Sequence, residues 1–312
     1  MKRRLLALTA FIILVFMTAC SEGSSKTEAE KKGEGQDKMK VTSTTAQIGD
    51  IVKNVGGEHV EAESLMGPGT DPHLYQATQQ DIGKLNGADI IFYNGLNLEG
   101  KMGEIFEKMN KEKPTHAVAE GVPEESLIRE GEDAFDPHVW FDIELWQYAV
   151  DEVVKGLSEV DKDHADEFKE NGENYKQELT ELDAWAKESL HEIPEKSRVL
   201  VTAHDAFTYF GNAYGMEVKG LQGLSTESEY GIKDVQNIVN VLVEREIKAV
   251  FVESSISERS INAVVEGAKE KGHDVEIGGE LYSDAMGEEG TEEGTYIGMF
   301  KHNINTIKDA LK

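Results

Sequence analysis

The chain reads as an α/β protein of two similar lobes, with mainly parallel sheets flanked by helices and one long rigid helix joining the lobes. Three observations predict this fold. From Lys40 onward short apolar runs alternate with amphipathic stretches, the pattern of β-α units. The alternation stops after about Val160 for one long polar stretch and resumes beyond Pro194. At 312 residues the chain is long enough to bury two cores of ordinary size.

In the first half, strands are expected at Val41–Thr45, Val60–Leu65, Asp89–Tyr93 and Thr115–Val118, and helices at Ala46–Val55, Gln76–Leu85, Glu99–Met109 and Ile143–Leu157. Ile48, Ile51, Val52 and Val55 fall on one face of the first helix. His164–His191 lacks proline and places Ala165, Phe168, Tyr175, Leu179, Leu182, Ala186 and Leu190 near helical spacing. Gly172 reads as its weak point, at about 1 kcal/mol against alanine. The second half repeats the alternation, with strands at Val199–Thr202, Val218–Leu221, Ala249–Val252 and Val275–Ile277. Its helices are expected at Ala206–Tyr214, Ile232–Arg245, Arg259–Lys271 and Tyr296–Leu311.

The N-terminus carries Lys2, Arg3 and Arg4, then the apolar run Leu5–Met17, then Thr18-Ala19-Cys20, which is a signal peptide in charge, length and ending. Cys20 is the sole cysteine, so neither an internal disulfide nor a thiolate cluster can form. Met17-Thr18-Ala19-Cys20 resembles a bacterial lipobox, whose cysteine is acylated and becomes the new N-terminus; Met17 stands where leucine is usual. A cleaved secretory signal with a bystander cysteine is the plainer alternative. Ser21–Lys38 has almost no apolar residue and reads as a flexible tether, spanning about 23 Å as a coil. The expected division is thus 1–19 signal peptide, 20–39 lipidated tether, 40–162 first lobe, 163–193 linking helix and 194–312 second lobe.

The formal charge of -28 excludes nucleic acid as a partner. An acidic surface suits attraction of cations, although solubility alone explains it as well. The Glu288–Glu293 run reads as a solvated acidic loop.

Asp-Pro-His occurs twice, at Asp71-Pro72-His73 and Asp136-Pro137-His138, which is improbable by chance in a chain with 6 prolines and 9 histidines. Both triplets fall in loops before helices, the second of which Asp142 is placed to cap. A proline before a ligand fixes the local backbone and limits the entropy lost on ordering an imidazole. His204 follows the first strand of the second half, and Asp284 follows the last. Position alone leaves both open, because a strand-end histidine or an aspartate serves as readily to cap a helix.

Six ordered stretches carry a resemblance: GPGTDPHLYQ from Gly67, DPHVWF from Asp136, VTAHDAF from Val201, GLQGLSTESE from Gly220, FVESS from Phe251 and GGELYSDAMG from Gly278. From Lys40 to the C-terminus the chain closely resembles the metal-binding lipoprotein receptors of manganese and zinc ABC importers, the cluster that includes the treponemal receptor TroA and bacillar manganese-binding lipoproteins. The resemblance implies one ion held between two lobes by His73, His138, His204 and Asp284. Glu229 and Glu253 lie in matching motifs, and either is placed to orient a ligand imidazole. It also implies rigid lobes, and delivery of the ion to an ABC permease and its ATPase by a monomer anchored to the outer face of the membrane.

The transported ion is read as Mn2+, with Zn2+ as the alternative. Many manganese receptors of this kind carry glutamate where His204 stands, which favours zinc on ligand type. Zinc-specific relatives often insert a histidine-rich loop, whereas Glu120–Phe135 contains no histidine. His59, His116, His164, His191, His273 and His302 match no ligand motif, and those flanking the long helix are expected to be exposed. A metallohydrolase is the rival class, but the chain has no His-Glu-x-x-His helix. An adhesin finds no support in the residues. Because three imidazoles must be neutral to bind one ion, affinity is expected to fall below about pH 6.

The lipobox yields a direct test. Replacing Cys20 by alanine should move the protein from the membrane fraction to the soluble one; retention in the membrane with the tether intact contradicts acylation.

Overall fold

The computed structural model describes residues 38–131 and 134–312. The expected signal peptide and Cys20 lie outside the described residues, as does the tether except Lys38 and Met39, and Met39 already begins the first strand.

The first lobe runs β1 (Met39–Ser43), α1 (Ala46–Gly56), β2 (Val60–Ser64), α2 (Gln79–Gly87), β3 (Ile90–Tyr93), α3 (Gly103–Met109) and β4 (Thr115–Ala117). Its four strands form one parallel sheet in the order β2-β1-β3-β4. β3 is apolar throughout, as a strand covered on both faces must be, and Ile90, Ile91 and Phe92 are fully buried. Ile48, Ile51, Val52 and Val55 of α1 are buried as their spacing predicts. Thr78 and Asp81 close a capping box on α2.

A two-residue antiparallel pair, β5 (Arg129–Glu130) with β6 (Ala134–Phe135), follows and was not anticipated. Next come α4 (Ile143–Val160) and α5 (Ala165–His191). Asp142 caps α4 as expected, its carboxylate accepting from the amides of Glu144 and Leu145 at 2.9 and 3.2 Å.

The second lobe contains β7 (Val199–His204), α6 (Thr208–Tyr214), β8 (Glu217–Gln222), α7 (Ile232–Glu244), β9 (Ala249–Glu253), α8 (Arg259–Glu270), β10 (Glu276–Leu281) and α9 (Tyr296–Leu311). Its strands pair in parallel, β7 with β8 and β9 with β10. The last strand starts one residue later and runs four residues further than the apolar pattern indicated. Gly278 and Gly279 carry no apolar side chain to mark it.

α5 is 27 residues long, hence about 40 Å. Phe168, Tyr175, Leu179, Leu182, Ala186 and Leu190 form its buried stripe. The hydroxyl of Tyr175 donates to Asp50 of α1 at 2.6 Å, and Asp183 accepts from the hydroxyl of Tyr214 of α6 at 3.0 Å. The helix is therefore fastened to both lobes, and one apolar core runs from β1 through α5 to α9. Lys38–Lys312 accordingly form one compact unit.

Gly172 is not the weak point that helix propensity predicts. A Cβ there would lie 2.5 Å from Cγ2 of Val154, so the missing side chain lets α5 approach α4. Gly172→Ala should therefore destabilise the protein by about 1–3 kcal/mol despite its higher helix propensity. In a Val154→Ala background the same change should be neutral or stabilising. Chemical denaturation of the four proteins checks this, and stabilisation in both backgrounds would contradict it.

Candidate metal centre

Parallel strands present their carboxyl ends to ligands, and both lobes use that edge here. β2 leads into the loop carrying His73, His204 is the last residue of β7, and Asp284 lies three residues beyond β10. His138 precedes a short 3-10 turn at Val139–Phe141 before α4. Asp284 caps no helix, since the next one begins at Tyr296. That removes the capping alternative for this residue.

Each Asp-Pro-His triplet folds the same way. Oδ1 of Asp71 accepts from the amide of His73 at 2.9 Å, and Oδ1 of Asp136 accepts from the amide of His138 at 2.9 Å. The aspartate two residues earlier thus closes the turn that aims each imidazole.

His73, His138, His204 and Asp284 converge, each offering one donor atom within 4.8 Å of all the others. Among the described residues this is the one such group of three or more histidine, cysteine or acidic side chains. Nε2 of His73 and Nε2 of His138 are 3.3 Å apart. Oδ2 of Asp284 lies 3.5 Å from Nε2 of His73 and 3.4 Å from Nε2 of His204, and its Oδ1 lies 3.5 Å from Nε2 of His138. A metal about 2.1 Å from four tetrahedral donors would separate them by about 3.4 Å. All four side chains are buried. Both oxygens of Asp284 and Nε2 of His204 lack any hydrogen-bond partner. Buried polar atoms are normally satisfied, so donors that converge without partners suit a cation.

Two imidazoles have a carboxylate on their far nitrogen. Nδ1 of His138 donates to Oδ1 of Asp136 at 2.7 Å. Nδ1 of His204 lies 2.6 Å from Oε2 of Glu253, whose Oε1 accepts from the amide of His204 at 2.9 Å. Such contacts fix the tautomer that turns the Nε2 lone pair to the centre. Of the two glutamates singled out in the sequence, Glu253 is buried against His204, whereas Glu229 is exposed. Asp136 has the matching role for His138, which sequence reasoning missed. Its signal was available in the repeated Asp two residues before each His.

Charge then divides the histidines. Burial pushes His73 down to about 4, and the neighbouring His138 and His204 add to this against the pull of Asp284. Burial also opposes charge on His138, but Asp136 and Asp284 outweigh it and raise it to about 9. For His204, Glu253 and Asp284 overcome burial and hold it well above the ordinary value. Asp284 is held well below the carboxylate range despite burial, chiefly by His204. In the ion-free cluster these shifts favour a neutral His73, charged His138 and His204 and an ionised Asp284.

The remaining six histidines lie outside the cluster. His191 is exposed as expected, but His164 is not. Its ring stacks on His59 at 3.9 Å, and Asp161 binds its Nδ1 at 2.6 Å.

Residues 41–310 match the family described as ZnuA, zinc-uptake complex component A periplasmic. The chain belongs to the ZnuA family. This family comprises metal-binding transport receptors rather than enzymes. The manganese-binding lipoprotein MntA of Bacillus subtilis is 57% identical over 100% of both chains. The zinc-binding protein TroA of Treponema pallidum is 47% identical over 90% of this chain and 91% of its own. The solved structure of that periplasmic zinc-binding TroA superposes with a TM-score of 0.86, covering 88% of this chain and 99% of that one. As in that structure, parallel sheets are flanked by helices.

The contact between Glu253 and His204 can be tested without metal. In the ion-free protein, Glu253→Gln should lower the NMR-measured pKa of His204 and leave that of His138 raised. An unchanged His204 titration would contradict the assigned cause.

Proposed function

We propose that this chain captures Mn2+ between its lobes on His73, His138, His204 and Asp284 and hands it to an ABC permease, whose ATPase drives import. The observation that carries this reading is the buried convergence of four donor groups, of which Asp284 and Nε2 of His204 have no hydrogen-bond partner. Family membership supports the class of partner. Acylation at Cys20 would hold the receptor, as a monomer, on the extracytoplasmic face. Lobes 40–162 and 194–312, braced by the helix within 163–193, would act as rigid jaws.

For manganese there are two supports. The full-length relative at 57% identity is named for manganese. Asp284 also turns both oxygens toward the imidazoles, offering a harder and larger donor set than four tetrahedral positions. Zinc is the second reading, favoured by the three imidazoles and by the name of TroA. Affinity does not decide between them, because zinc binds nitrogen-rich sites more tightly than manganese under the Irving–Williams order. Growth of a deletion strain in metal-depleted medium does decide. Rescue by manganese but not zinc supports the reading, and rescue by zinc alone overturns the choice of ion.

The raised histidines move the pH dependence upward from the pH 6 expected for ordinary imidazoles. Because the ion-free arrangement favours the charged forms of His138 and His204, capture is expected to expel up to two protons. Affinity should then fall at least about tenfold for each pH unit lost between pH 7 and 5. His73 contributes little there, since it is already neutral. Titration calorimetry at pH 7 in buffers of different ionisation enthalpy should count up to two protons released per ion. Release of none would contradict this charge assignment.

A further inference from the structure

The three imidazoles are not held alike. His138 and His204 each have a carboxylate on Nδ1, from a residue of their own lobe. No carboxylate among the described residues lies within ion-pair distance of Nδ1 of His73. Its aim depends on the turn that Asp71 closes with one oxygen, accepting from the amides of His73 at 2.9 Å and Leu74 at 3.4 Å. The other oxygen of Asp71 is taken from across the cleft. Oγ1 of Thr226, in the loop between β8 and α7, donates to Oδ2 of Asp71 at 2.6 Å. Beside it Lys101 of the first lobe pairs with Glu227 of the second.

The fourth group is tied in the opposite sense. Asp284 belongs to the second lobe, yet first-lobe side chains hold its backbone. Nε2 of Gln47 donates to the carbonyl of Asp284 at 3.1 Å, and Nε1 of Trp140 donates to the carbonyl of Ser283 at 3.1 Å. Separation of the lobes must strain both ties. It leaves the His138–Asp136 and His204–Glu253 contacts intact, because each lies within one lobe.

We propose that Thr226 is a positioning residue for metal retention: by holding Asp71 across the cleft it keeps His73 on the ion, so its hydroxyl sets the rate of metal release. His73 is then the last histidine to engage and the first to leave. This inference rests on the reading that the four residues hold Mn2+.

The test measures Mn2+ release into excess chelator by stopped flow for wild type, Thr226→Val, Thr226→Ser and His73→Ala, with melting temperatures of the metal-free proteins alongside. Valine keeps the shape of threonine and removes only the hydrogen bond to a charged group. Release should accelerate about tenfold or more in that variant, with the association rate and metal-free melting temperature little changed. Serine, which retains the hydroxyl, should release at the wild-type rate. Wild-type release from Thr226→Val, or equal acceleration in Thr226→Ser, overturns the role of the hydroxyl while the site reading stands. Unaltered Mn2+ binding by His73→Ala would instead overturn the site reading, and the latch with it.

Discussion

Three imidazoles and a carboxylate stand in the protein interior with their donor atoms converging on one point, and both oxygens of Asp284 and Nε2 of His204 have no hydrogen-bond partner. Each buried polar atom left in that state costs about 1–3 kcal/mol. Left free, the side chains would rotate to find partners and the cluster would disperse. The rest of the architecture can be understood as preventing that rearrangement. Asp136 and Glu253 occupy the far nitrogens of two imidazoles, so neither ring can turn without losing a contact to a carboxylate. Gln47 and Trp140 hold the backbone that carries Asp284. A divalent ion would supply what these atoms lack, and its binding would stabilise the folded arrangement.

Fixing donors that come from two lobes also requires the lobes to keep their spacing. α5 does this through a continuous buried stripe and through hydroxyl-to-carboxylate contacts to both sides, Tyr175 with Asp50 and Tyr214 with Asp183. Gly172 shows how closely the brace is fitted, since one added methyl group would meet Val154. A hinge-type receptor needs a loose connection. Here the connection is a packed helix.

Much of this was legible in the sequence, and the reason is locality. An Asp-Pro-His triplet contains both the turn and the ligand, so repetition of the triplet marks two donors in the sequence itself. The apolar periods of α1 and α5 identified their buried faces for the same reason. What stayed hidden depends on distant residues. The choice between Glu229 and Glu253 turns on the ends of β7 and β9 meeting, 49 residues apart in sequence. Gly172 was misread because propensity records the cost of glycine within its own helix and cannot register a second helix. The stacking of His59 on His164 escaped for the same reason, as did the short pair of β5 and β6, too brief to show a period.

Whether these four side chains and no others enclose the ion is tested by anomalous diffraction at the manganese edge from crystals of the Mn2+-loaded protein. One peak per chain is expected, within about 2.3 Å of Nε2 of His73, His138 and His204 and of the carboxylate of Asp284. A peak elsewhere, or one that leaves any of these four residues outside bonding distance, would contradict it.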